Sequence, residues 1–463
     1  MPLIKSISGI RGTIGDKPGE NLTPADIKKF TAAYGCWLMQ NATQRKSNYS
    51  VVIGRDGRTS GEMVRGIVAE TLLSMGINVI DLGLSTTPTV ELAVKNEKAD
   101  GGIILTASHN PAEWNALKLL DNNGEFISAE AGQKVLALAA EEKSNVIESK
   151  KEGEISSNNN YLDFHIEGVI NYPLVNIPEI TACNFKVVVD VINSTGSIFV
   201  PALLKALGVN HVIVINGVVD GKFAHNPEPI PEHLTQLSNE VVKQKADFGI
   251  AVDPDVDRLC FVCDDGSMFG EEYTLVAVAD YILSRKKGNT VSNMSSTKAL
   301  KEITLKHGGQ YFPSAVGEVN VVKKMKEVNA VIGGEGNGGI IVPDFHYGRD
   351  ALIGIGLFLS HLAGHKKGIR SFRGLYPDYF ISKKKMELNG GFDVEQIFKK
   401  IAEKYKKQTI NTEDGLKIEF ESDWVHLRIS NTEPIIRVYA ESNFESKANN
   451  MAMQIMRDIK EFG

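Results

Sequence analysis

The sequence has few cysteines, no long apolar run and no block of like charges. Its 463 residues include four cysteines, too few for a disulfide framework in so long a chain. No apolar run approaches the ~18 residues of a membrane span, and the segment Met1-Pro-Leu-Ile-Lys-Ser6 lacks the features of a signal peptide. The net charge of −6 argues against a nucleic-acid groove or a membrane-surface patch. We therefore expect a cytoplasmic protein without nucleic-acid or membrane partners, whose local basic residues still allow a small anionic substrate.

Two of the cysteines, Cys260 and Cys263, have the spacing of a metal-binding or redox pair. They lie in the apolar run Leu259 to Cys263, which is typical of a β-strand. Residues three apart in a strand point to opposite faces of the sheet, so these two thiols could not share one ion. We therefore predict that both cysteines are structural.

A pattern of strand, helix and strand occurs three times, beginning near Tyr49, Phe185 and Thr290. In each copy the helix ends at a glycine between two strands, which is typical of βαβ units in a parallel sheet, although the pattern is weaker in the third copy. After about residue 370 a charged helical segment and short strands replace this pattern. The length and the pattern predict three or four domains, with boundaries near residues 157, 259 and 371 and a smaller α+β domain at the end.

Each copy of the pattern is followed by another strand that runs into an unusual loop. These loops are Thr106–Pro111, Asp253–Arg258 and Gly333–Gly339, and a fourth unusual loop, Arg428–Arg437, lies in the last domain. Ligands of open α/β sheets lie beyond the carboxyl ends of the strands. The first three loops are therefore the places where we expect chemistry.

The first loop offers Ser108 as a hydroxyl nucleophile, next to His109. A serine hydroxyl becomes reactive only with the help of a base or a cation. His109 is not an obvious base for Ser108, because the side chains of sequence neighbours usually diverge. From these residues alone, a strand that ends in an Asn-Pro turn remains an open alternative.

The second loop alternates three carboxylates, Asp253, Asp255 and Asp257. In an extended conformation all three face the same way, and they repel one another unless a cation neutralises them. Their hard oxygen ligands favour Mg²⁺ or Ca²⁺ over a transition metal. A solvated acidic loop is the alternative, whereas a calcium-binding EF-hand fits poorly because Arg258 occupies the position that requires glycine.

The third and fourth loops carry groups that suit a phosphosugar. Glu335 and Asn337 stand among five glycines, and a carboxylate and an amide suit sugar hydroxyls better than phosphate. The fourth loop offers groups suited to a phosphate dianion: Arg428, Ser430, Asn431, Thr432 and Arg437. Simple turns are the alternatives for both loops. Together the four loops provide a nucleophile, a cation site, a sugar-binding group and a phosphate-binding group, which indicates a phosphosugar enzyme.

Six segments resemble the signature sequences of the α-D-phosphohexomutase family, which includes phosphoglucomutases, phosphomannomutases and phosphoglucosamine mutases. They are Ser8–Gly12, Gly54–Arg58, Thr106–Pro111, Asp253–Arg258, Gly334–Gly338 and Arg428–Pro434. The resemblance covers essentially the whole chain. It implies four domains around a central cleft, the first three with a repeated mixed α/β sheet core. These are a phosphoserine domain (1–157), a metal-binding-loop domain (158–258), a sugar-binding-loop domain (259–370) and a phosphate-binding domain (371–463).

The resemblance also implies a role for each site residue. Ser108 is expected to be phosphorylated, and Mg²⁺ is expected to be held by Asp253, Asp255, Asp257 and an oxygen of phosphorylated Ser108. The residues expected around the reacting phosphoryl group are Ser108, His109, Lys118, Arg11 and Arg258, with Lys118 as the general acid/base. The expected substrate-binding residues are Glu335, Asn337, Arg428, Ser430, Asn431, Thr432 and Arg437.

The implied reaction interconverts hexose 6-phosphate and hexose 1-phosphate through the phosphoserine and a hexose 1,6-bisphosphate, in a monomer or a homodimer.

Many members carry serine where Asn337 stands. Asn337, with Gly339 two positions later, points to a phosphoglucosamine mutase, with phosphoglucomutase or phosphomannomutase specificity as the alternative. A phosphatase with an aspartyl nucleophile is a rival, because Asp253-Pro-Asp-Val resembles the start of the haloacid-dehalogenase motif. A non-catalytic sugar-phosphate sensor is a second rival.

Overall fold

Four β-sheets organise the chain, and three of them repeat one arrangement of strands. The structure is a computed structural model, and it describes residues 3–6, 9–41, 46, 48–141, 151–388, 393–430 and 435–463. Within these ranges, no helix combines the length and the apolar composition that crossing a membrane requires.

The first domain contains a seven-stranded sheet. Its strands are β1 (Ile4–Ser6), β2 (Gly9–Thr13), β3 (Tyr49–Arg55), β4 (Ile77–Leu84), β5 (Gly101–Leu105), β6 (Trp114–Leu120) and β7 (Ile155–Ser157). Its helices are α1 (Pro24–Asn41), α2 (Gly61–Ser74), α3 (Thr87–Asn96) and α4 (Ala129–Ala140). The strand order is β1-β2-β6-β5-β3-β4-β7.

The second domain contains a four-stranded sheet. Its helices and strands are α5 (Tyr161–Ile170), α6 (Ile177–Cys183), β8 (Lys186–Asp190), α7 (Gly196–Ala206), β9 (His211–Ile215), a 3₁₀ turn (Pro231–His233), α8 (Thr235–Gln244), β10 (Phe248–Val252) and β11 (Leu259–Cys263). The strand order is β11-β10-β8-β9.

The third domain also contains a four-stranded sheet. Its elements are α9 (Glu271–Leu283), β12 (Asn289–Asn293), α10 (Ala299–Lys306), β13 (Tyr311–Ser314), α11 (Glu318–Val328), β14 (Ala330–Glu335), β15 (Gly339–Ile341), α12 (Ala351–His365) and α13 (Ile369–Arg373). The strand order is β13-β12-β14-β15.

The three sheets share a core of four strands with the same directions. Three strands of each core run parallel, joined by helices, as the strand–helix–strand pattern predicts. The fourth strand turns back antiparallel beside the third, so each core is a mixed sheet. The three unusual loops are the connections between these antiparallel strands. The predicted repeated mixed α/β core is confirmed.

The glycine after each repeated helix is confirmed as a left-handed cap. Gly76, Gly208 and Gly308 follow α2, α7 and α10 with φ of 75°, 83° and 70°. Glycine adopts this conformation without the steric penalty of a Cβ atom, which ends the helix and turns the chain toward the next strand.

The fourth domain is the predicted smaller α+β domain. Its elements are β16 (Phe380–Glu387), α14 (Val394–Lys404), β17 (Thr409–Asn411), β18 (Leu416–Glu419), β19 (Trp424–Ile429), β20 (Ile435–Ser442) and α15 (Glu445–Phe462). The sheet is antiparallel, in the order β16-β20-β19-β18-β17, and it has a hydrophobic core of its own. Lys417 Nζ donates to the Met294 carbonyl at 2.8 Å, which ties this domain to the third.

Two of the predicted domain boundaries cut through packed units. The second sheet extends past residue 258, because β11 pairs along its whole length with β10. Helix α13 spans the boundary at residue 370, and Phe372 in this helix is fully buried in the core that α9 and α12 share. The second and third domains therefore end several residues later than the sequence pattern suggests.

The structural assignment of Cys260 and Cys263 is confirmed. Both lie in β11 as free buried thiols, and they belong to hydrophobic clusters on opposite sides of the sheet. Burial raises the pKa of Cys260 well above 9.0 and that of Cys263 to about 11, so both thiols stay protonated.

Candidate active site

The loop between β5 and β6 holds Ser108 in a left-handed backbone conformation, with a φ of 51°. A non-glycine residue keeps this conformation only where neighbouring contacts hold it. Arg58 supplies such contacts, because its buried guanidinium donates to four carbonyl oxygens of residues 108–114 at 2.6–2.9 Å. Asp56 Oδ2 accepts from Arg58 Nε at 3.0 Å and from Thr106 Oγ1 at 2.6 Å. The loop is thus a rigid support for the serine.

The hydroxyl of Ser108 contacts the acidic loop of the second domain. Its Oγ donates to Asp253 Oδ2 at 2.8 Å and lies 3.4 Å from His109 Nδ1. Burial and three nearby guanidinium groups lower the pKa of His109 well below 6.5, so its ring is neutral at neutral pH. The nucleophile candidate therefore lies between a carboxylate and a neutral imidazole.

The loop between β10 and β11 gathers the carboxylates of Asp253, Asp255 and Asp257. One oxygen from each lies within 4.8 Å of the others, and all three side chains are fully buried. The backbone turns at Val256, with a φ of 59°. The main-chain N–H groups of Asp257 and Arg258 then donate to Asp253 Oδ1 at 3.1 and 3.2 Å. The alternative of a solvated acidic loop is wrong, because these carboxylates have no access to solvent.

The hydrogen bonds of this cluster leave two carboxylate oxygens available to a cation. Asp255 Oδ2 accepts from Lys118 Nζ at 2.7 Å and from Thr87 Oγ1 at 2.6 Å, and Asp257 Oδ2 accepts from Arg349 Nη2 at 2.6 Å. In the part of the chain that the structure describes, Oδ1 of Asp255 and Oδ1 of Asp257 accept no hydrogen bond. Buried carboxylate oxygens without partners are unfavourable, and hard oxygen donors suit a divalent cation. The three aspartates could thus hold a metal.

The pKa values of two carboxylates of the cluster, Asp253 and Asp255, are shifted in opposite directions. Burial and the other two carboxylates raise the pKa of Asp253 well above 3.8. Burial acts in the same direction on Asp255, but Lys118 and Thr87 outweigh it and lower the pKa of Asp255. Burial opposes the charge of Lys118, yet Asp255 and Asp257 outweigh it, so the pKa of Lys118 is raised and the amine stays protonated.

The two remaining residues of the predicted catalytic set lie beside the cluster. Arg11 on β2 stands opposite Ala116 of β6, on the same face of the sheet as Lys118. Burial and the charge of Arg258 lower the pKa of Arg11, whereas the charge of Asp255 raises it. Arg11 is therefore close enough to Arg258 and Asp255 to interact with both electrostatically. Arg258 Nη1 donates to Glu228 Oε1 at 2.9 Å. The structure therefore gathers all five residues of this set around the acidic loop.

The third loop supplies a charged, oriented carboxylate. Glu335 Oε1 accepts from Asn293 Nδ2 at 2.9 Å and from the Gly317 N–H at 3.1 Å. Its Oε2 accepts from Arg349 Nη1 at 3.1 Å and, more weakly, from Asn337 Nδ2 at 3.4 Å. Burial opposes ionisation, but Arg349 and Asn293 outweigh it and hold the pKa of Glu335 below 4.5.

The fourth loop joins β19 to β20 on the last domain. Arg428 and Arg437 are direct cross-strand partners, and the Ser430 N–H donates to the Ile435 carbonyl at 2.9 Å. Arg428 Nε lies 3.4 Å from Asp414 Oδ2. Two predicted residues of this loop, Asn431 and Thr432, lie outside the described residues. The first three loops meet in direct contact, whereas Arg428, Ser430 and Arg437 form a group on the fourth domain.

The sequence reasoning missed Arg349, whose guanidinium binds Asp257, Glu335 and Glu318. One signal could have revealed it. Arg349 and Asp350 immediately precede α12, a helix of mainly apolar and small residues whose N-terminus Asp350 caps. A charged pair at the entrance to a buried apolar helix requires buried partners. Glu318 and Asp257 are these partners for the arginine, and no local pattern in the sequence identifies them.

The chain matches the sequence profiles of phosphoglucomutase/phosphomannomutase along almost its whole length. The matches are to α/β/α domain I over residues 3–146, α/β/α domain II over 161–266, α/β/α domain III over 270–379 and the C-terminal domain over 383–458. The chain therefore belongs to the phosphoglucomutase/phosphomannomutase family, the α-D-phosphohexomutases, as the motifs suggest. It is an isomerase of the phosphohexomutase type, and these matches give no support to a phosphatase.

Two relatives differ in the substrates that their names give. A phosphoglucomutase/phosphomannomutase from Thermococcus kodakarensis is 36% identical over 444 residues, covering 95% of this chain and 94% of the relative. A phosphoglucosamine/phosphogalactosamine mutase from Sulfurisphaera tokodaii is 33% identical over 459 residues, covering 98% of each chain. In fold, a phosphoglucomutase/phosphomannomutase family protein from Burkholderia thailandensis matches with a TM-score of 0.83 at 24% identity, over 99% of this chain and 97% of that one.

Proposed function

We propose that this phosphohexomutase interconverts hexose 6-phosphate and hexose 1-phosphate through a phosphorylated Ser108. The observation that carries the proposal is the 2.8 Å contact between Ser108 Oγ and Asp253 Oδ2. It places a hydroxyl directly beside three buried carboxylates that could hold a metal. A hydroxyl in this position, once phosphorylated, can supply one further oxygen to the same ion.

In the first half-reaction the bond between phosphorus and Ser108 Oγ breaks while a bond to the free hexose hydroxyl forms, which gives a hexose 1,6-bisphosphate. Lys118 is the proposed proton carrier. Its ammonium would give a proton to Ser108 Oγ as the phosphoryl group leaves, and the resulting amine would accept the proton that the hexose hydroxyl releases. The bisphosphate then turns end for end, and the reverse step returns its other phosphoryl group to Ser108. Neutral His109 keeps a hydrogen-bonding position beside Oγ in both steps.

Mg²⁺ is the proposed metal, and when bound it would neutralise the charge on the transferring phosphoryl group. Asp253, Asp255, Asp257 and an oxygen of phosphorylated Ser108 are its proposed ligands. The Oδ1 atoms of Asp255 and Asp257, which accept no hydrogen bond from the described residues, support this assignment. Arg11 and Arg258 are proposed to bind the equatorial phosphoryl oxygens, as guanidinium groups do in phosphoryl transfer.

We propose that Glu335 and Asn337 bind the hydroxyls of the sugar. The weak contact between Asn337 Nδ2 and Glu335 Oε2, 3.4 Å long, supports this role. Rotation of the amide would expose one acceptor position on Oε2 for a sugar hydroxyl and would free the amide itself to donate to another oxygen. The proposed substrate is glucosamine phosphate, on the basis of Asn337 and Gly339 and of relatives such as the Sulfurisphaera tokodaii enzyme. Glucose or mannose phosphate is the alternative.

The direct test is turnover. In ³¹P NMR with Mg²⁺ and catalytic hexose 1,6-bisphosphate, the purified protein is expected to convert hexose 6-phosphate into hexose 1-phosphate. Of the glucosamine, glucose and mannose substrates, glucosamine phosphate is expected to give the highest kcat/KM. A higher kcat/KM for glucose or mannose phosphate would contradict the sugar assignment alone. Release of inorganic phosphate without any hexose 1-phosphate would contradict the mutase.

The fourth loop is the proposed binding site for the phosphate that is not reacting, through Arg428, Ser430, Asn431, Thr432 and Arg437. Because either phosphate must occupy this site in alternate half-reactions, Arg428→Ala is expected to weaken hexose 1-phosphate and hexose 6-phosphate binding equally. A lost charge-assisted contact predicts a decrease of roughly 10- to 100-fold in affinity for each. Calorimetric titration of each sugar phosphate would measure it.

The matched control is Arg457→Ala, which removes an exposed arginine of the same domain from helix α15. This control is expected to keep wild-type affinity for both sugar phosphates. If Arg428→Ala weakened the binding of only one of them, the two phosphates would not share this site.

A further inference from the structure

A single buried arginine connects the acidic loop of the second domain to the sugar loop of the third. Arg349 Nη2 donates to Asp257 Oδ2 at 2.6 Å, and Nη1 of the same guanidinium donates to Glu335 Oε2 at 3.1 Å. Its Nε donates to Glu318 Oε2 at 3.0 Å, and its main-chain N–H donates to Glu318 Oε1 at 3.0 Å. Each of the three guanidinium nitrogens thus has a different carboxylate as its partner.

A glycine in the sugar loop makes this arrangement possible. A Cβ atom on Gly339 would lie 2.3 Å from Arg349 Cδ, closer than carbon atoms can approach, and 3.0 Å from Arg349 Cγ, which is also tight. Gly339 pairs with Glu335 across the turn of the loop. Its backbone conformation is one that alanine can also adopt, so the glycine serves to admit the arginine side chain.

The backbone of Arg349 is also held firmly. The next residue, Asp350, caps helix α12 through its Oδ1, which accepts from the Leu352 N–H at 2.8 Å. Asp350 Oδ2 lies 2.9 Å from His165 Nε2 and 3.1 Å from His346 Nε2. Since His165 belongs to α5 of the second domain, the two domains fix the starting point of the arginine side chain together.

We propose that Arg349 is a positioning residue that couples the sugar-reading carboxylate to the metal-holding carboxylate. The proposal rests on the proposed function for the roles of Glu335 and Asp257. Arg349 binds Oδ2 of Asp257, so Oδ1 would be the atom available to a cation, and the same guanidinium fixes Oε2 of Glu335 relative to Asp257. Loss of the guanidinium therefore removes a charge-assisted hydrogen bond from both carboxylates at once.

Lysine cannot replace this arginine. A lysine ammonium is a single point charge, whereas the planar guanidinium presents donors in three directions that match three separate carboxylates. Arg349→Lys keeps the positive charge but gives up the simultaneous contacts. It is expected to weaken Mg²⁺ binding by about 10- to 100-fold, the usual effect of losing a group that orients a metal ligand. It is also expected to raise the KM for the hexose phosphate.

Gly339→Ala provides an independent test, because it leaves Arg349 in the chain and displaces its side chain. It is expected to reproduce both defects of Arg349→Lys. The double variant is expected to be no worse than the poorer single variant, since both substitutions disrupt the same contacts. Isothermal titration calorimetry with Mg²⁺ alone measures the first defect, and steady-state kinetics measure the second.

Two substitutions of the same type serve as controls in helix α2. Arg65→Lys changes a partly buried arginine that pairs with Asp81 outside the acidic loop, and Gly66→Ala adds a Cβ where no atom lies within 4 Å. Both controls are expected to bind Mg²⁺ as the wild type does. Wild-type Mg²⁺ affinity and KM in Arg349→Lys, or losses that multiply in the double variant, would overturn the proposal.

The two proposals can fail separately. If the wild-type protein turned over no hexose phosphate, the proposed function would fail, while calorimetry with Mg²⁺ would still show whether Arg349 positions Asp257. If Arg349→Lys did not fold, Gly339→Ala would decide the question through the same titration. An unchanged Mg²⁺ affinity in a folded Gly339→Ala protein would then overturn the coupling.

Discussion

Ser108→Ala is expected to abolish hexose phosphate interconversion, with a loss of at least about 10⁴-fold in kcat. Alanine lacks the oxygen that receives and returns the phosphoryl group, and no water molecule can store that group between the two half-reactions. The fold should persist, because the contacts of Arg58 with the loop use main-chain carbonyls that alanine keeps. Coupled assays of both reaction directions would measure the loss, and circular dichroism would check the fold.

Ser74→Ala is the matched control, since the Ser74 hydroxyl bonds only the Thr71 carbonyl of its own helix among the contacts described here. It is expected to keep wild-type activity. A near-normal rate in Ser108→Ala would refute the phosphoserine. The phosphorylated wild-type protein adds a second check, because a phosphoserine survives acid, whereas hydroxylamine cleaves the acyl phosphate that an aspartyl nucleophile would form.

Removal of divalent cations is expected to stop turnover, and Mg²⁺ is expected to restore it. Asp253→Asn should lower kcat by at least about 10³-fold at any Mg²⁺ concentration, because a bound metal contributes several kcal/mol of charge stabilisation. The same change removes one of three mutually repelling buried carboxylates. In the absence of metal, the free energy of unfolding of the variant should therefore equal or exceed that of the wild type.

Urea unfolding with and without Mg²⁺ would separate these effects. Mg²⁺ at 100 times its dissociation constant should add about 2.7 kcal/mol to the wild-type free energy of unfolding, and clearly less to that of Asp253→Asn. Asp344→Asn, which changes a surface carboxylate paired with Lys286, is the control and should respond to Mg²⁺ like the wild type. A wild-type protein that Mg²⁺ neither activates nor stabilises would refute the metal site.

The repeated fold could be predicted because its signals are local. Strand β10 at Phe248–Val252 and strand β9 at His211–Ile215 have the bounds that the sequence pattern predicts. Gly76 predicts the end of α2, because glycine is the residue that adopts the left-handed conformation of a helix cap without a steric clash. The domain boundaries are harder to predict from sequence. Strand β11 belongs to the second domain because it pairs with β10, and no local sequence signal near residue 258 indicates this pairing.

The chemistry of the site was predictable only in part. The motifs predict Ser108 and the three aspartates as site residues, but not the distance between them, which depends on how two domains pack. The same limit applies to Arg349, because its partners lie 14, 31 and 92 positions away in the sequence. The segment Gly54–Arg58 resembles a family signature, but the sequence does not show what this segment does. In the folded protein Arg58 binds the main chain of the serine loop, a contact that side-chain patterns do not reveal.

The left-handed backbone at position 108 has a consequence for the choice of amino acid there. Threonine also carries a hydroxyl that accepts phosphate, and by chemistry alone the two residues would be interchangeable. A β-branched side chain, however, is strongly disfavoured at positive φ, since its second branch collides with the main chain. The backbone shape at this position therefore favours serine over threonine, independently of the chemistry of the hydroxyl.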